Sequence, residues 1–352
     1  MAFPSASGYG NLPQGNFSPV LFSQKAQLAF RKEAVVEAIT NSDYFGEISN
    51  YGDSVRIMKE PEITVTDYAR GQQVTPQVLE DEDFTLVIDQ AKKFSFQLDD
   101  IEVAHSHIGF MDLASDRAAY KIKDNYDEEV LGYMCGYTKA SGTWAARTTM
   151  PGTKADSNAG SDEWLAAHQL DATDLGTTNS PASGEAIVVG VSGTYDATPL
   201  QILNRMKRKM DELSVPKEGR YVVLDPVFVE FLMDEDSKLV NSDYNTGEGE
   251  GLNNGRLSAS KIRGFRVYES NNLPYLGTGP DTVTATSARD NANFGVILAG
   301  HDSAVATASQ INKTEKLRSQ NTFADEVRGL HLYGRKILRP EALFRAIYNV
   351  NK

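Results

Sequence analysis

The sequence has few cysteines, no long apolar run and a deficit of positive charge. Its 352 residues include one cysteine, Cys135, which excludes an intrachain disulfide and a metal centre built on several thiolates, and which fits a reducing compartment. No apolar run approaches the ~20 residues that cross a bilayer. No basic segment followed by an apolar stretch marks the N-terminus as a secretory signal. We therefore expect no membrane partner.

The charge balance argues against a protein that grips nucleic acid. Lysine and arginine number 35 against 48 aspartates and glutamates, a formal net charge of −13. Proteins that bind duplex DNA tightly present basic surfaces whose cations displace counterions from the phosphates. Summed over its surface this chain should repel DNA, which remains compatible with containing DNA through weak adhesion. The length suits one complex fold or two to three subdomains.

The first hundred residues predict an arm, a short helix and a ribbon. Residues 1–23 are uncharged and rich in Gly, Pro, Ser and Asn, and residues 25–39 have a helical apolar pattern. Residues 54–70 and 84–98 alternate between apolar and polar side chains around a polar tip at 71–76, which predicts one long two-stranded ribbon. A lone ribbon is marginal in water, so we expect a neighbouring subunit to cover it. The alternative is packing on the chain's own core.

The rest of the chain mixes helices and strands. Residues 112–137 have helical spacing, with Asp116, Lys123, Asp127 and Glu128 on the predicted surface; a helix of roughly 26 residues would span about 39 Å. Residues 140–184, rich in Gly, Ser, Thr and Asp, predict an insertion or long loop. Thr198 and Pro199 predict the start of another helix. Further strands are predicted at 185–191, 221–224, 264–269, 294–299 and 327–338, and a short helix after Pro226. The fold class is α+β, and the last strand is expected to return to the first half.

Three local motifs, taken in this order, resemble a known family. They are Gly-Arg-Tyr-Val-Val-Leu-Asp-Pro at 219–226, Gly-Phe-Arg-Val-Tyr-Glu-Ser at 264–270 followed by Asn-Leu-Pro at 272–274, and Tyr-Gly-Arg-Lys-Ile-Leu-Arg-Pro-Glu-Ala at 333–342. With the order of elements, they resemble the Hong Kong 97-type major capsid proteins of tailed phages. The resemblance covers most of the chain and rests on order and co-occurrence rather than on one motif.

The resemblance implies a division of the chain. It assigns 1–44 to the N-terminal arm and short helix, 45–98 to the E-loop β-ribbon, 99–139 to the spine helix of the peripheral domain, 140–184 to an insertion, 185–306 to the axial domain, and 307–352 to C-terminal strands that complete the peripheral domain.

The resemblance also implies a function. The chain would be a non-enzymatic capsid subunit that assembles into hexamers and pentamers of an icosahedral shell around double-stranded DNA, formed in the host cytoplasm and located in the virion. Its partners would be itself, a separate scaffolding protein, because only a short uncharged arm precedes the first helix, a portal protein and an optional decoration protein. The alternatives are an encapsulin-type compartment shell and, more distantly, a small-molecule hydrolase using His301 and Ser303.

The ribbon tip is the predicted intersubunit contact. Arginine is enriched at interfaces because its planar fork binds carboxylates bidentately, which singles out Arg70. Some family members cross-link through an E-loop lysine, but this tip has none and Lys59 lies well down the strand, so we do not expect cross-linking. The predicted contact residues are Tyr68, Arg70, Gln72, Gln73 and Phe84.

A basic cluster predicts a second, charged interface. Arg205, Lys207, Arg208 and Lys209 lie opposite an apolar helical stripe, which is more typical of a solvated face than of a DNA site. Arg205 and Arg208 could instead pair with an acidic run that begins at Asp234 and Glu235.

No catalytic residue, cofactor or metal is predicted. His105 and His107 could pair with Asp99, Asp100 or Asp112, but a metal needs three or four converging ligands. His301, Asp302 and Ser303 are adjacent in sequence and cannot normally line up as a hydrolytic relay. The Gly-Glu-Gly-Glu-Gly run at 247–251 carries carboxylates that would repel phosphate.

Overall fold

A computed structural model describes residues 31–32, 34–42, 54–58, 63–71, 73, 76–77, 83–100, 110–140, 143–146, 169–170, 187–190, 196–233, 252–253, 256–257, 262–276, 294–319 and 323–350. Its helices are α1 (Val36–Ile39), α2 (Phe110–Cys135), α3 (Pro199–Glu212) and α4 (Pro226–Leu232), with a 3₁₀ turn at Pro340–Ala342. Its strands are β1 (Ser54–Met58), β2 (Asp83–Val87), β3 (Gln90–Asp99), β4 (Tyr137–Ala140), β5 (Thr143–Ala146), β6 (Gln169–Leu170), β7 (Ile187–Val189), β8 (Arg220–Leu224), β9 (Leu252–Asn253), β10 (Arg256–Leu257), β11 (Arg266–Glu269), β12 (Tyr275–Leu276), β13 (Phe294–His301), β14 (Val305–Arg318), β15 (Ala324–Ile337) and β16 (Leu343–Val350). None of the described helices has the length and apolarity to cross a membrane.

The first sheet is a three-stranded antiparallel platform beneath the long helix. β15 lies in the centre between β14 and β3, with a bulge in β14 between Ser309 and Ile311. Helix α2 packs on this sheet, where the Tyr126 ring meets the Tyr333 ring edge-on at 4.9 Å. The pairing of β15 with β3 confirms that a late strand returns to the first half. The 26 residues of α2 confirm the predicted long helix.

The second sheet holds most of the buried core. Its strands run in the order β11, β8, β13, β16, β6, with β12 on β13 and β7 on β16. Every residue of β8 is buried. Helix α3 begins where the sequence predicts, because the Thr198 hydroxyl accepts from the Gln201 amide in a capping box and Pro199 occupies the first turn. The core continues into the second half of α2, where Val130 and Met134 are fully buried.

The ribbon differs from its prediction in how it pairs. Only β1 and β2 pair with each other, over five residues on each strand, while β3 pairs with β15 and residues 63–71 lie outside any strand. The reason is that the same chain covers the base of the ribbon, which β1 and β2 form. Leu86 and Ile88 are buried there with Ala306, Ala308 and Leu338. The prediction of one long uncovered ribbon is wrong for this base, where the alternative of packing on the chain's own core holds.

The C-terminal segment also departs from the implied division. β16 pairs along seven residues with β13, so it belongs to the second sheet rather than to the platform formed by β14 and β15. Its side chains from Leu343 to Tyr348 are buried irrespective of which face they occupy. A strand buried on both faces is typical of a sheet centre.

Two further segments are more ordered, or ordered differently, than predicted. Within 140–184, β5 pairs with β4 and buries Trp144 against Gly132, where an added Cβ would lie 2.6 Å from the indole; β6 joins the second sheet. Residues 31–32 and 34–35 are not helical, so the described part of the helix predicted at 25–39 is α1 alone.

Candidate functional site

Residues 63–71, which follow β1 in the sequence and are called the tip from here on, carry large apolar side chains that are exposed to solvent. Ile63, Val65 and Tyr68 are 68%, 92% and 66% exposed, and Met58 at the end of β1 is 82% exposed. The Thr64 amide donates to Gln77 Oε1 at 3.0 Å, which links the two sides of the tip. Burying one large apolar side chain contributes about 1.5–3 kcal/mol. Another molecule that covers these residues would therefore form a stable contact with the tip.

The structure places part of the predicted contact set on this tip. Tyr68, Arg70 and Gln73 are exposed there, and the Tyr68 hydroxyl accepts from the Gly71 amide at 3.4 Å. Gln72 lies outside the described residues. The backbone of Phe84 pairs with Ile57 in the ribbon base, but its side chain is not described. The contacts themselves stay predictions.

Sequence reasoning assigned no contact role to Ile63 or Val65. Their alternation with Thr64 and Thr66 was visible and predicted a strand face. A signal for their role existed in that pattern, because an apolar face is costly to leave open. What the pattern could not show is that residues 63–71 lie outside any strand, with Ile63 and Val65 exposed.

A buried carboxylate joins three segments that are distant in the sequence. Asp127 of α2 is fully buried and accepts from the amides of Val35 and Val36 at 2.7 and 2.9 Å. Its second oxygen accepts from the Asn272 side-chain amide at 2.8 Å, and Lys32 donates to the Asn272 oxygen at 2.8 Å. Burial raises the pKa of the Asp127 carboxyl, against the opposing effect of these hydrogen bonds. The prediction that Asp127 lies on the helix surface is wrong, because the N-terminal segment crosses the helix there.

A second carboxylate fixes α2 to the three-stranded sheet. Glu129 accepts from Lys92 Nζ at 2.8 Å and from the Tyr333 hydroxyl at 2.5 Å, and Arg335 lies 3.6 Å away. Burial alone would raise the pKa of Glu129, but the Lys92 and Tyr333 hydrogen bonds and the charge of Arg335 outweigh it and hold that pKa below its ordinary value. The helix is therefore tied to both β3 and β15.

The His301–Ser303 turn is structural rather than catalytic in its geometry. Ser303 donates its amide to His301 Nδ1 at 3.2 Å, so Nε2 carries the proton and donates to the Glu218 carbonyl at 2.7 Å. Asp302 pairs with Arg266 instead of orienting the imidazole. A hydrolytic relay needs an acid behind the histidine to orient it. His301 Nδ1 lies 2.8 Å from the Ser303 hydroxyl, but the other ring nitrogen donates to a backbone carbonyl rather than to a carboxylate, so this turn lacks that acid.

The basic cluster on α3 is partly neutralised within its own helix. Arg208 pairs with Glu212 at 3.0 Å, both side chains being 59% exposed. Pairs this exposed contribute only about 0–1 kcal/mol. Asp234 and Glu235 lie outside the described residues, so their pairing with Arg205 and Arg208 stays a prediction.

The metal candidates do not converge in the part of the chain that the structure describes. His105 and His107 lie outside it, and Asp100 is paired with Arg318. Within the described ranges no group of three or more His, Cys, Asp or Glu side chains could hold a metal ion.

Comparisons with known proteins identify the fold. No family model matches the chain, and no curated protein matches its sequence. Among solved structures it is similar to one titled "Mycobacterium phage Che8", with 24% identity, 96% of this chain and 97% of the other covered, and a TM-score of 0.68. It is also similar to the capsid structure of the cyanophage P-SCSP1u, with 16% identity, 100% of both chains covered and a TM-score of 0.62. A third is the capsid of Ralstonia phage GP4, with 12% identity, 99% of both chains covered and a TM-score of 0.63.

These likenesses extend along almost the whole chain. They show that it has the α+β fold of phage capsid structures, the predicted Hong Kong 97-type fold. Neither the encapsulin-type compartment nor the hydrolase gains support from them.

Proposed function

We propose that this chain is the major capsid protein of a tailed phage. The observation that carries the proposal is the end-to-end likeness to phage capsid structures, in which nearly all of each chain is covered. The subunit would form hexamers and pentamers that tile an icosahedral head shell around double-stranded DNA. Its activity is symmetric self-association, and we assign it no catalytic residue and no cofactor.

The shape of the subunit supports this role. The buried core is joined by the hydrogen bonds of Asp127 and Glu129, while Ile63, Val65 and Tyr68 of the tip are exposed. In a closed assembly each copy uses one surface to cover another surface of its neighbour. On this proposal the first sheet with α2 is the peripheral domain and the second sheet, including β16, is the axial domain.

We further propose the partners that shell assembly requires. These are a separate scaffolding protein, a portal protein and an optional decoration protein, with assembly in the host cytoplasm and a final location in the virion. The DNA would be enclosed without tight or sequence-specific binding, because a chain with a net charge of −13 repels a polymer with a negative charge about every 1.7 Å of its axis.

The test is assembly from purified protein. We expect the chain expressed alone to give few or irregular particles, and the chain expressed with the scaffolding protein from its own genome to give uniform closed shells by electron microscopy. Uniform shells from the lone chain would refute the separate scaffold. A small oligomer that never assembles, with or without that protein, would refute the capsid function.

A further inference from the structure

Asn272 is a buried residue whose side-chain nitrogen and oxygen both have partners. It lies between β11 and β12 of the second sheet and is 1% exposed. Its side-chain nitrogen donates to Asp127 at 2.8 Å and to Asp124 at 3.2 Å, and its oxygen accepts from Lys32 Nζ at 2.8 Å. Two donors and an acceptor are used at once, a combination that an amide side chain offers and a carboxylate does not. These contacts are called the Asn272 joint from here on.

The Asn272 joint lies where α2 passes from one sheet to the other. The Tyr126 ring packs against the Tyr333 ring of the three-stranded sheet, whereas the next residue, Asp127, contacts the loop of the second sheet. Beyond this point α2 continues into the buried core, where Val130 is fully buried. A side chain that holds Asp127 therefore also fixes how the second sheet sits on the helix.

The N-terminal segment enters the same contact and continues to the three-stranded sheet. Its backbone amides at 35 and 36 donate to Asp127 at 2.7 and 2.9 Å. The Asn41 amide then donates to the Val305 carbonyl at 2.9 Å, and the Asn41 carbonyl accepts from the Thr307 amide at 3.0 Å, where β14 begins. The segment thus ties the Asn272 joint to the first strand of the other sheet's long hairpin.

The direct chain connections between the two sheets leave their relative orientation adjustable. The chain passes from β13 to β14 and from β15 to β16 through short turns. These two turns lie side by side, because the amides of Leu338 and Arg339 donate to the Ala304 carbonyl at 2.8 and 3.1 Å. Short connections at the ends of elements can absorb a rotation between the bodies that they join. A further contact between the sheets is therefore needed to fix the angle.

We propose that Asn272 is the positioning residue that fixes the second sheet relative to α2 and the three-stranded sheet, and that the size of the shell depends on it. This inference rests on the proposed function. Identical copies close into a shell through one repeated contact geometry, so an angle built into each copy is repeated throughout the shell. The inference gives a physical role to the Asn-Leu-Pro motif at 272–274.

An exchange of two side chains tests the pairing. Asn272→Asp places a third carboxylate against Asp124 and Asp127, and Asp127→Asn turns amide hydrogens toward those of Asn272. In the double variant an amide again faces a carboxylate, with Lys32 beside it, and only the contact with Asp124 stays unfavourable. Lys32→Met is a milder variant, because it removes the ammonium group of a side chain that is 41% exposed and keeps the buried pair.

The readout is the diameter of shells formed with the scaffolding protein, measured by electron microscopy. We expect each buried single variant to increase the spread of diameters about twofold or to prevent closure, and the double variant to recover about half of that loss, since the angle is then held again. Lys32→Met should fold and widen the spread by a smaller amount. Uniform shells of normal diameter from Asn272→Asp or from Lys32→Met, or no recovery in the double variant, would overturn the proposal.

A core substitution controls for lost stability. Ile297 is fully buried in β13 of the second sheet, so Ile297→Ala should lower the denaturant midpoint by leaving a cavity. We expect its shells to keep the normal spread of diameters. If this control widened the spread as much as Asn272→Asp does, the effect would reflect stability alone and the positioning role would be refuted.

Amide hydrogen exchange on unassembled subunits separates this inference from the capsid function. Asn272→Asp should speed exchange in residues 35–41 about tenfold through local opening, while β8 stays protected. Unchanged exchange in residues 35–41 would refute the Asn272 joint even if shells form. An unsubstituted chain that forms no shell with the scaffolding protein would instead refute the capsid function, and with it the dependence of shell size on Asn272.

Discussion

The second sheet and the ribbon tip are built from similar apolar residues but have opposite surroundings. Val222, Ile297 and Ile347 in the sheet are at most 1% exposed, whereas Val65 and Ile63 at the tip are 92% and 68% exposed. The sheet is completed by strands from the same chain, and the tip is completed by none of the described residues. The comparison teaches that folding of this subunit and its assembly depend on different apolar surfaces.

Substitution of two tyrosines, one in each region, tests most strongly whether folding and assembly use different surfaces. Tyr348 is buried, donates to Asp225 at 2.9 Å and meets the Phe228 ring at 5.3 Å, so Tyr348→Ala should lower the free energy of unfolding by about 3–5 kcal/mol. Tyr68→Ala should change it by less than about 0.5 kcal/mol yet prevent shell formation. Denaturant titration and electron microscopy of both variants check this. A large loss of stability in Tyr68→Ala would place the tip in the subunit's own core.

Asp127 tests whether the N-terminal segment belongs to the folded core. Asp127→Ala would leave the buried amides of Val35 and Val36 and the side chain of Asn272 without their acceptor. Buried polar groups left unsatisfied cost about 1–3 kcal/mol, and we expect a loss of about 2–3 kcal/mol in the free energy of unfolding. The control is Asp116→Ala on the exposed side of the same helix, which should be far milder. Equal losses of stability in the two variants would refute the role of Asp127 in joining these segments.

The Glu129 network predicts a pH dependence with a defined sign. Because the pKa of Glu129 is held below its ordinary value, the folded state binds its proton less tightly than the unfolded state. Its contribution to stability is therefore complete above the unfolded pKa of about 4.3 and is lost as the pH falls through the lower, folded pKa. The denaturant midpoint of Glu129→Gln should be lower than that of the unsubstituted protein at pH 7. The difference between the two midpoints should become smaller as the pH falls. A difference in midpoint that does not change with pH would contradict the assigned interactions of Glu129.

The weakest expected effect concerns DNA. Unassembled subunits should bind duplex DNA no more tightly than about 10⁻⁴ M at physiological salt, as measured by fluorescence anisotropy. Changing Arg205, Lys207, Arg208 and Lys209 to Gln should then leave binding nearly unchanged. Micromolar affinity with a steep salt dependence, lost in that variant, would instead make α3 a DNA-contact face.

Local patterns predicted much of the fold. Helix α2 followed from apolar spacing over 26 residues, and the start of α3 followed from Thr198 and Pro199, because both signals act within a few turns of chain. The pairing of β3 could not be read in the same way. Alternation shows which face of a strand is apolar, but it does not name the partner strand, and β15 lies more than 200 residues away.

The features that sequence reasoning missed depend on distant contacts or on charged surfaces. The second half of β14 carries Lys313, Glu315 and Lys316. Lys313 pairs with Glu315, and Lys316 pairs with Asp325 on β15. These charged side chains interrupt the alternation of apolar and polar residues by which a strand is recognised. Asp127 has the residue type of a helix surface, and its burial follows only from where the N-terminal segment crosses. The tip was predicted as a contact surface, but the exposure of Ile63 and Val65 became visible only in the folded chain.

The central claim is that the tip serves assembly and not folding, and deletion of residues 68–75 tests it most directly. Electron microscopy of the deletion variant beside the unsubstituted chain, both expressed with the scaffolding protein, is the decisive measurement. We predict closed shells from the unsubstituted chain and none from the variant, whose denaturant midpoint should remain close to that of the unsubstituted protein. Normal shells from the deletion variant would contradict the account.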